Sequence, residues 1–239
     1  MAQRYKNKLA GQQHNRVFAS KRSQVATSVA RGAHSKRLRG GPRELCAPFS
    51  PPEDWHEPSD DAADPADYRI LVQSPGKGFK HILTPEDIRA RLAQVPRGFL
   101  RNLHTVQLSR MTRKKQSFPC YGMQWGTTLY LYPMESSLEE VYTQPPGPSQ
   151  RIEADMYGGR WVRHRSRYWK LAWSEQSIRD FYLHNILIHE LGHLVDDRNT
   201  RAVDRERYAE WFALEYGYKF FQQGRSQRPV VRRHRARHV

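Results

Sequence analysis

Residues 189–193 read His-Glu-Leu-Gly-His, inside the apolar run Asn185-Ile-Leu-Ile-His-Glu-Leu-Gly-His-Leu-Val195. Two imidazoles four positions apart on a helix stand one turn from each other and can reach one ion. With His189 at zero on a helical wheel, His193 falls at about 40° and Glu190 at about 100°. Leu187, Ile188, Leu191, Leu194 and Val195 gather at roughly 140–260°, so the opposite face is apolar and can pack into a core. The chemistry this pattern suits is catalytic zinc binding, with three protein ligands and a fourth position left for solvent. His189 and His193 supply two nitrogens. Glu190 stays off the metal, takes a proton from the attacking water and passes it to the leaving amine. The plain alternative is a helix with surface histidines. It leaves the uncharged, apolar flanks on the correct face without a reason.

The third ligand decides the class. Asp196 and Asn199 stand where a metzincin needs Gly and His,. No His follows His193 until His234, in a basic tail. The remaining source is an acid on the next helix, expected over residues 203–221. With Glu206 at zero there, Glu210 lies at about 40°, and Ala213 and Gly217 lie within about 20° of zero. One face thus carries two stacked carboxylates and then small residues that permit close approach of the first helix. Tyr208, Trp211, Phe212 and Tyr216 make the far side aromatic. Glu206 is the expected third ligand. Glu210 is expected to hydrogen-bond a ligand imidazole and fix its tautomer. The alternative makes both carboxylates solvated partners of Arg205 and Arg207. Asp196, one turn past His193, is a further second-shell candidate and a weaker competitor for the ligand position.

These segments resemble the gluzincins, zinc metallopeptidases with HExxH plus a Glu ligand, and in particular the catalytic domain of anthrax lethal factor and its relatives. That family shows HExGHxxDD and later ExFAEAF. This chain has His189-Glu-Leu-Gly-His-Leu-Val-Asp-Asp197 and then Glu206-Arg-Tyr-Ala-Glu-Trp-Phe-Ala213. The resemblance implies ligands His189, His193 and Glu206, with Glu190 as base and Glu210 in support. It also implies a zincin-like α+β domain with a small mixed sheet, an active-site helix and a C-terminal Glu-bearing helix. The spacing from His193 to Glu206, 13 residues, is shorter than the family's. The family places an oxyanion-stabilising Tyr shortly before the Glu ligand, and residues 198–205 contain none. Tyr157, in Asp155-Met-Tyr-Gly-Gly, is the replacement considered. In zincins a strand ahead of the active-site helix edges the cleft and pairs with extended substrate. By resemblance that strand is Leu129, Tyr130, Leu131 and Tyr132, with an ordinary core strand as the alternative.

Charge divides the chain. The net charge is +16. Residues 1–43 hold eleven Lys/Arg and no acid, and residues 224–239 hold six Arg and no acid. The stretch between them is close to neutral. Residues 1–66 read as a disordered basic segment followed by an acidic, Pro-rich linker, 67–222 as one metallopeptidase domain, and 223–239 as a basic tail,. Arg-rich ends attract polyanions, so non-specific, salt-sensitive nucleic-acid contact is one expectation, against mere solvation. Interleaved aromatics, which would suggest base stacking, are missing there.

Other expectations are local. Strands fit Tyr68–Gln73 and Leu103–Leu108, and a hairpin fits Cys120–Pro133. Thr84 caps a helix that opens at Pro85 and stops before Pro96. Residues 144–166 read as a loop or short hairpin, and Ser174 as a cap. Cys46 and Cys120 form neither a disulfide framework nor a cysteine zinc site, which suits a reducing compartment,. No apolar run is long enough to span a bilayer. The N-terminus has no apolar secretory core, so the location read is cytoplasmic, although its acid-free, Arg- and Ser-containing character overlaps with organelle transit peptides.

Two functions follow from these residues. The first is a zinc-dependent peptidase acting on a protein or peptide substrate, with a non-peptide amide as a variant. The second is a nucleic-acid-associated binding protein with a structural or inactive zinc site. Glu190 discriminates them, because a purely structural site has no need of a carboxylate between its ligands.

Overall fold

The computed structural model describes Pro52 and residues 68–117, 120–164 and 168–226. The readings of residues 1–51, of nearly all the acidic linker and of 227–239 lie outside these residues; residues 223–226, expected to begin the basic C-terminal tail, are described and helical.

β-branched and aliphatic residues build a four-stranded sheet. β1 (Arg69–Val72) pairs in parallel with β3 (Thr105–Leu108), and β3 in parallel with β5 (Thr128–Leu131). β4 (Gly122–Trp125) pairs antiparallel with β5 across a turn at Gly126, whose φ of 57° suits glycine,. The order β1-β3-β5-β4 leaves β4 at the edge. Side chains alternate along a strand. Val106 and Leu108 therefore share a face with their register partners Leu129 and Leu131, and all four join the core. This corrects the reading of Leu129–Tyr132 as the exposed edge. β5 lies inside the sheet and all four residues are buried.

The crossover from β1 to β3 carries α1 (Pro85–Leu92). Thr84 Oγ1 accepts from the Asp87 N–H at 3.2 Å, and Asp87 Oδ2 accepts from the Thr84 N–H at 3.1 Å. Two donors that the helix leaves unpaired are thereby satisfied. Short β2 (Phe79–Lys80) pairs with β6 (Met134–Glu135). α2 (Arg113–Ser117) precedes β4.

Residues 144–166, expected as a loop or short hairpin, contain a helix and one strand of a pair. β7 (Glu139–Tyr142), β8 (Arg160–His164) and β9 (Tyr168–Ala172) make an antiparallel sheet of order β7-β9-β8. α3 (Pro148–Tyr157) lies between β7 and β8 in sequence. Pro148 opens it and Gly158, at φ 84°, closes it. The Pro and Gly read as loop markers are helix boundaries here.

Two long helical stretches complete the core. Ser174 caps α4 (Glu175–Phe181), which runs through a π-helical turn at Tyr182–Ile186 into α5 (Leu187–Val195). α6 (Ala202–Phe212) likewise continues through a π-helical turn at Ala213–Tyr218 into α7 (Lys219–Ser226). The stretches meet at glycines. A β-carbon on Gly217 would stand 1.9 Å from the His184 carbonyl oxygen, and one on Gly192 would stand 3.0 Å from Ala209 Cα. Phe212 is fully buried there, edge-on to Phe99. Helices and small sheets thus combine as an α+β arrangement. Among the described residues no helix is long and apolar enough to cross a membrane.

Candidate metal centre

The packing of α5 on α6 brings the sequence-predicted ligands together. His193 Nε2 lies 3.1 Å from His189 Nε2. Glu206 Oε1 lies 3.4 Å from His193 Nε2, and Oε2 lies 3.6 Å from His189 Nε2. His189, His193 and Glu206 form a group that could hold a metal ion, each offering one donor atom. The apolar residues before and between the histidines, Leu187, Ile188 and Leu191, are fully buried, as the wheel requires.

A tight turn makes the short spacing work. Asp196 Oδ1 accepts from the backbone N–H of Asn199 at 3.2 Å and from Asn199 Nδ2 at 2.9 Å, and Oδ2 accepts from Asn199 Nδ2 at 3.0 Å. Its carboxylate therefore shapes the turn between α5 and α6 and does not support an imidazole, which corrects its expected place beside the ligands. Glu210 is half-buried one turn beyond Glu206, and among the described residues it makes no hydrogen bond to either imidazole.

The electrostatics are those of a mutually dependent cluster. Burial alone would raise the Glu206 pKa. Hydrogen bonds from His189 and His193, with the charge of both, outweigh it and hold the carboxyl at about 2,. For His193, burial pulls downward, but the bond to Glu206 and the charges of Glu190 and Glu206 raise it. Burial raises Glu190; the imidazoles and the Gln124 backbone N–H oppose this.

Glu190 sits under the edge strand. A β-carbon on Gly122 would stand 2.9 Å from Glu190 Oε1 and 2.8 Å from Ile186 Cγ2. Only glycine lets β4 lie this close to the helix. Arg205 then ties the parts together: Nη2 donates to the His193 carbonyl at 3.1 Å and to Gln124 Oε1 at 3.4 Å. The sequence alone gives Gly122 and Gln124 no role, and it offers Arg205 only as a solvated partner of the neighbouring carboxylates. The available signals were a glycine within a β-prone run and an Arg directly before the acid.

Tyr157 is not beside this cluster. Its hydroxyl donates to the His184 carbonyl at 3.3 Å, and its ring stacks on Phe221, 5.6 Å between centroids. The end of α3 packs it against the side of the helix away from His189, which corrects its reading as an oxyanion donor. No protein-family profile, curated protein or solved structure matches this chain.

Proposed function

We propose that this chain is a zinc-dependent metallopeptidase of the gluzincin kind. The observation that carries this reading is the convergence of His189 Nε2, His193 Nε2 and the Glu206 carboxylate: the nitrogens stand 3.1 Å apart, Oε1 lies 3.4 Å from His193 and Oε2 lies 3.6 Å from His189. Donors about 2.0–2.1 Å from a tetrahedral zinc stand roughly 3.3 Å apart. The donor set, two imidazoles and one carboxylate, is that of catalytic rather than structural zinc. When bound, the ion supplies Lewis acidity to the scissile carbonyl and lowers the pKa of water toward about 7.

The chain's own residues supply the rest. Glu190, buried beside the ligands, accepts a proton at a carboxylate oxygen from the attacking water and delivers it to the leaving nitrogen. Its upward-shifted pKa suits both halves of that transfer,. Among the described residues β4 is the edge of its sheet, so an extended peptide can add to it as a further strand above Glu190,. Arg205 is a positioning residue that holds the end of α5 to that strand.

The test is peptide hydrolysis. Zinc-loaded full-length protein incubated with a proteome-derived peptide library should generate new termini seen by mass spectrometry. Glu190→Gln should keep the zinc and lose turnover by about 10²-fold or more. Equal cleavage by the variant would remove the assigned base.

A further inference from the structure

A concavity of about 560 Å³ opens between α1, α4, the Tyr182–Ile186 turn and α7. None of His189, Glu190, His193 or Glu206 contributes to it. Its wall includes Arg91, Arg179, His184 and Arg225, with the rings of Phe220 and Phe221.

Arg91 is the unusual member. It is 3% exposed. Nε donates to His184 Nδ1 at 3.1 Å, and Nη2 donates to the Tyr216 carbonyl. The guanidinium carbon stands 4.7 Å from the centre of the Phe220 ring. None of these partners is an anion, and among the described residues no carboxylate pairs with Arg91. The two acids on the wall have partners of their own. Asp87 holds Arg179 through Nε at 3.2 Å and through Nη2, and Asp180 accepts from Gln176 Nε2 at 2.8 Å. Burial draws Arg91 down only to about 10, so it keeps its proton at neutral pH. His184, held down to about 4 by burial and by Arg91 and Arg179, brings no compensating charge.

A buried cation without a counter-ion is costly, and a planar guanidinium matches carboxylate and phosphate oxygens in pairs. We propose that this concavity binds a small anionic ligand: a carboxylate or phosphate group carried on an aromatic or apolar body. The anionic group meets Arg91, with Arg225 at the exposed rim of α7. The apolar body lies against Phe220 and Phe221, as ligand pockets ordinarily combine few polar groups with apolar walls. The site stands independently of the metallopeptidase reading.

Phenyl phosphate and benzoate are the probes, phenol and inorganic phosphate the controls, all against full-length protein. Calorimetry should show saturable binding of phenyl phosphate or benzoate at one site per chain. Inorganic phosphate should bind at least ten times more weakly, and phenol should not saturate. The preference between the two probes identifies phosphate or carboxylate. The imidazole resonances of His184 should shift with the same saturation, which loose anion contact at the basic ends cannot cause. Arg91→Met should weaken binding at least tenfold. Should that variant fail to fold, Arg225→Ser on the exposed rim should weaken it about threefold. Absence of saturable binding by both probes, unmoved His184 signals, phenol binding as well as phenyl phosphate, or wild-type affinity in the folded variants would each overturn the proposal.

Discussion

Gly122 lies so close over Glu190 that a β-carbon on the glycine would stand 2.9 Å from the carboxylate Oε1. The edge strand and the helix bearing the histidines are therefore a single fitted unit. Gly122→Ala should push β4 away from Glu190 and Ile186. The expected cost is about 1–3 kcal/mol of stability, from overpacking. Peptide hydrolysis should fall much further than zinc content does. Urea unfolding, zinc analysis and turnover on one preparation measure all three; unchanged turnover would show the close approach to be incidental.

Gly192 makes the matching contact on the other side. A β-carbon there would meet Ala209 Cα and Phe212 Cβ, both at 3.0 Å. Gly192→Ala should widen the α5–α6 spacing and draw Glu206 away from the imidazoles. Zinc should then be lost to a competing chelator at a concentration at least tenfold lower than for the wild type.

Gly217 is the most restrictive position of the helical pair. The atom that a new β-carbon would strike, 1.9 Å away, is the backbone oxygen of His184. It cannot move aside as the end of a side chain can. Gly217→Ala should destabilise the protein by about 3 kcal/mol or more, the upper end of overpacking. Thermal unfolding checks this.

His189 and His193, the candidate ligands, are readable because their period and their apolar flanks are local properties, and so is Glu206, from the carboxylate face of its helix. Thr84 and Ser174 were readable as caps for the same reason. Which of two neighbouring β-prone runs forms the sheet edge is not local. It depends on β3 pairing with β5, which buries Leu129–Tyr132 and leaves Gly122–Trp125 outside. A continuing helix would put Asp196 one turn past His193, whereas the helix ends at Val195 and the carboxylate turns into the loop. The glycines after Tyr157 suggest a loop, but Tyr157 ends a helix whose packing fixes its direction. The π-helical turns at Tyr182–Ile186 and Ala213–Tyr218 carry no compositional mark.

Acid should weaken the fold through His184. Burial, with Arg91 and Arg179 nearby, lowers its pKa to about 4, against about 6.5 in an unfolded chain. The unfolded state therefore binds the extra proton between these values. The contribution of neutral His184 is complete above about pH 6.5 and is lost as pH falls toward 4, by ~3 kcal/mol in all. Urea unfolding at pH 7.5, 5.5 and 4.5 should show this slope, and His184→Gln should flatten it by about one proton. An undiminished slope in the variant would assign the effect elsewhere.

The most direct test of the central claim is the zinc content of purified wild-type, Glu190→Gln and Glu206→Ala protein, by elemental analysis after exhaustive dialysis. Wild type and Glu190→Gln should each retain about one zinc per chain, and Glu206→Ala should retain far less. Retention by Glu206→Ala equal to that of the wild type, or a wild type that holds no zinc, would contradict a centre built from His189, His193 and Glu206.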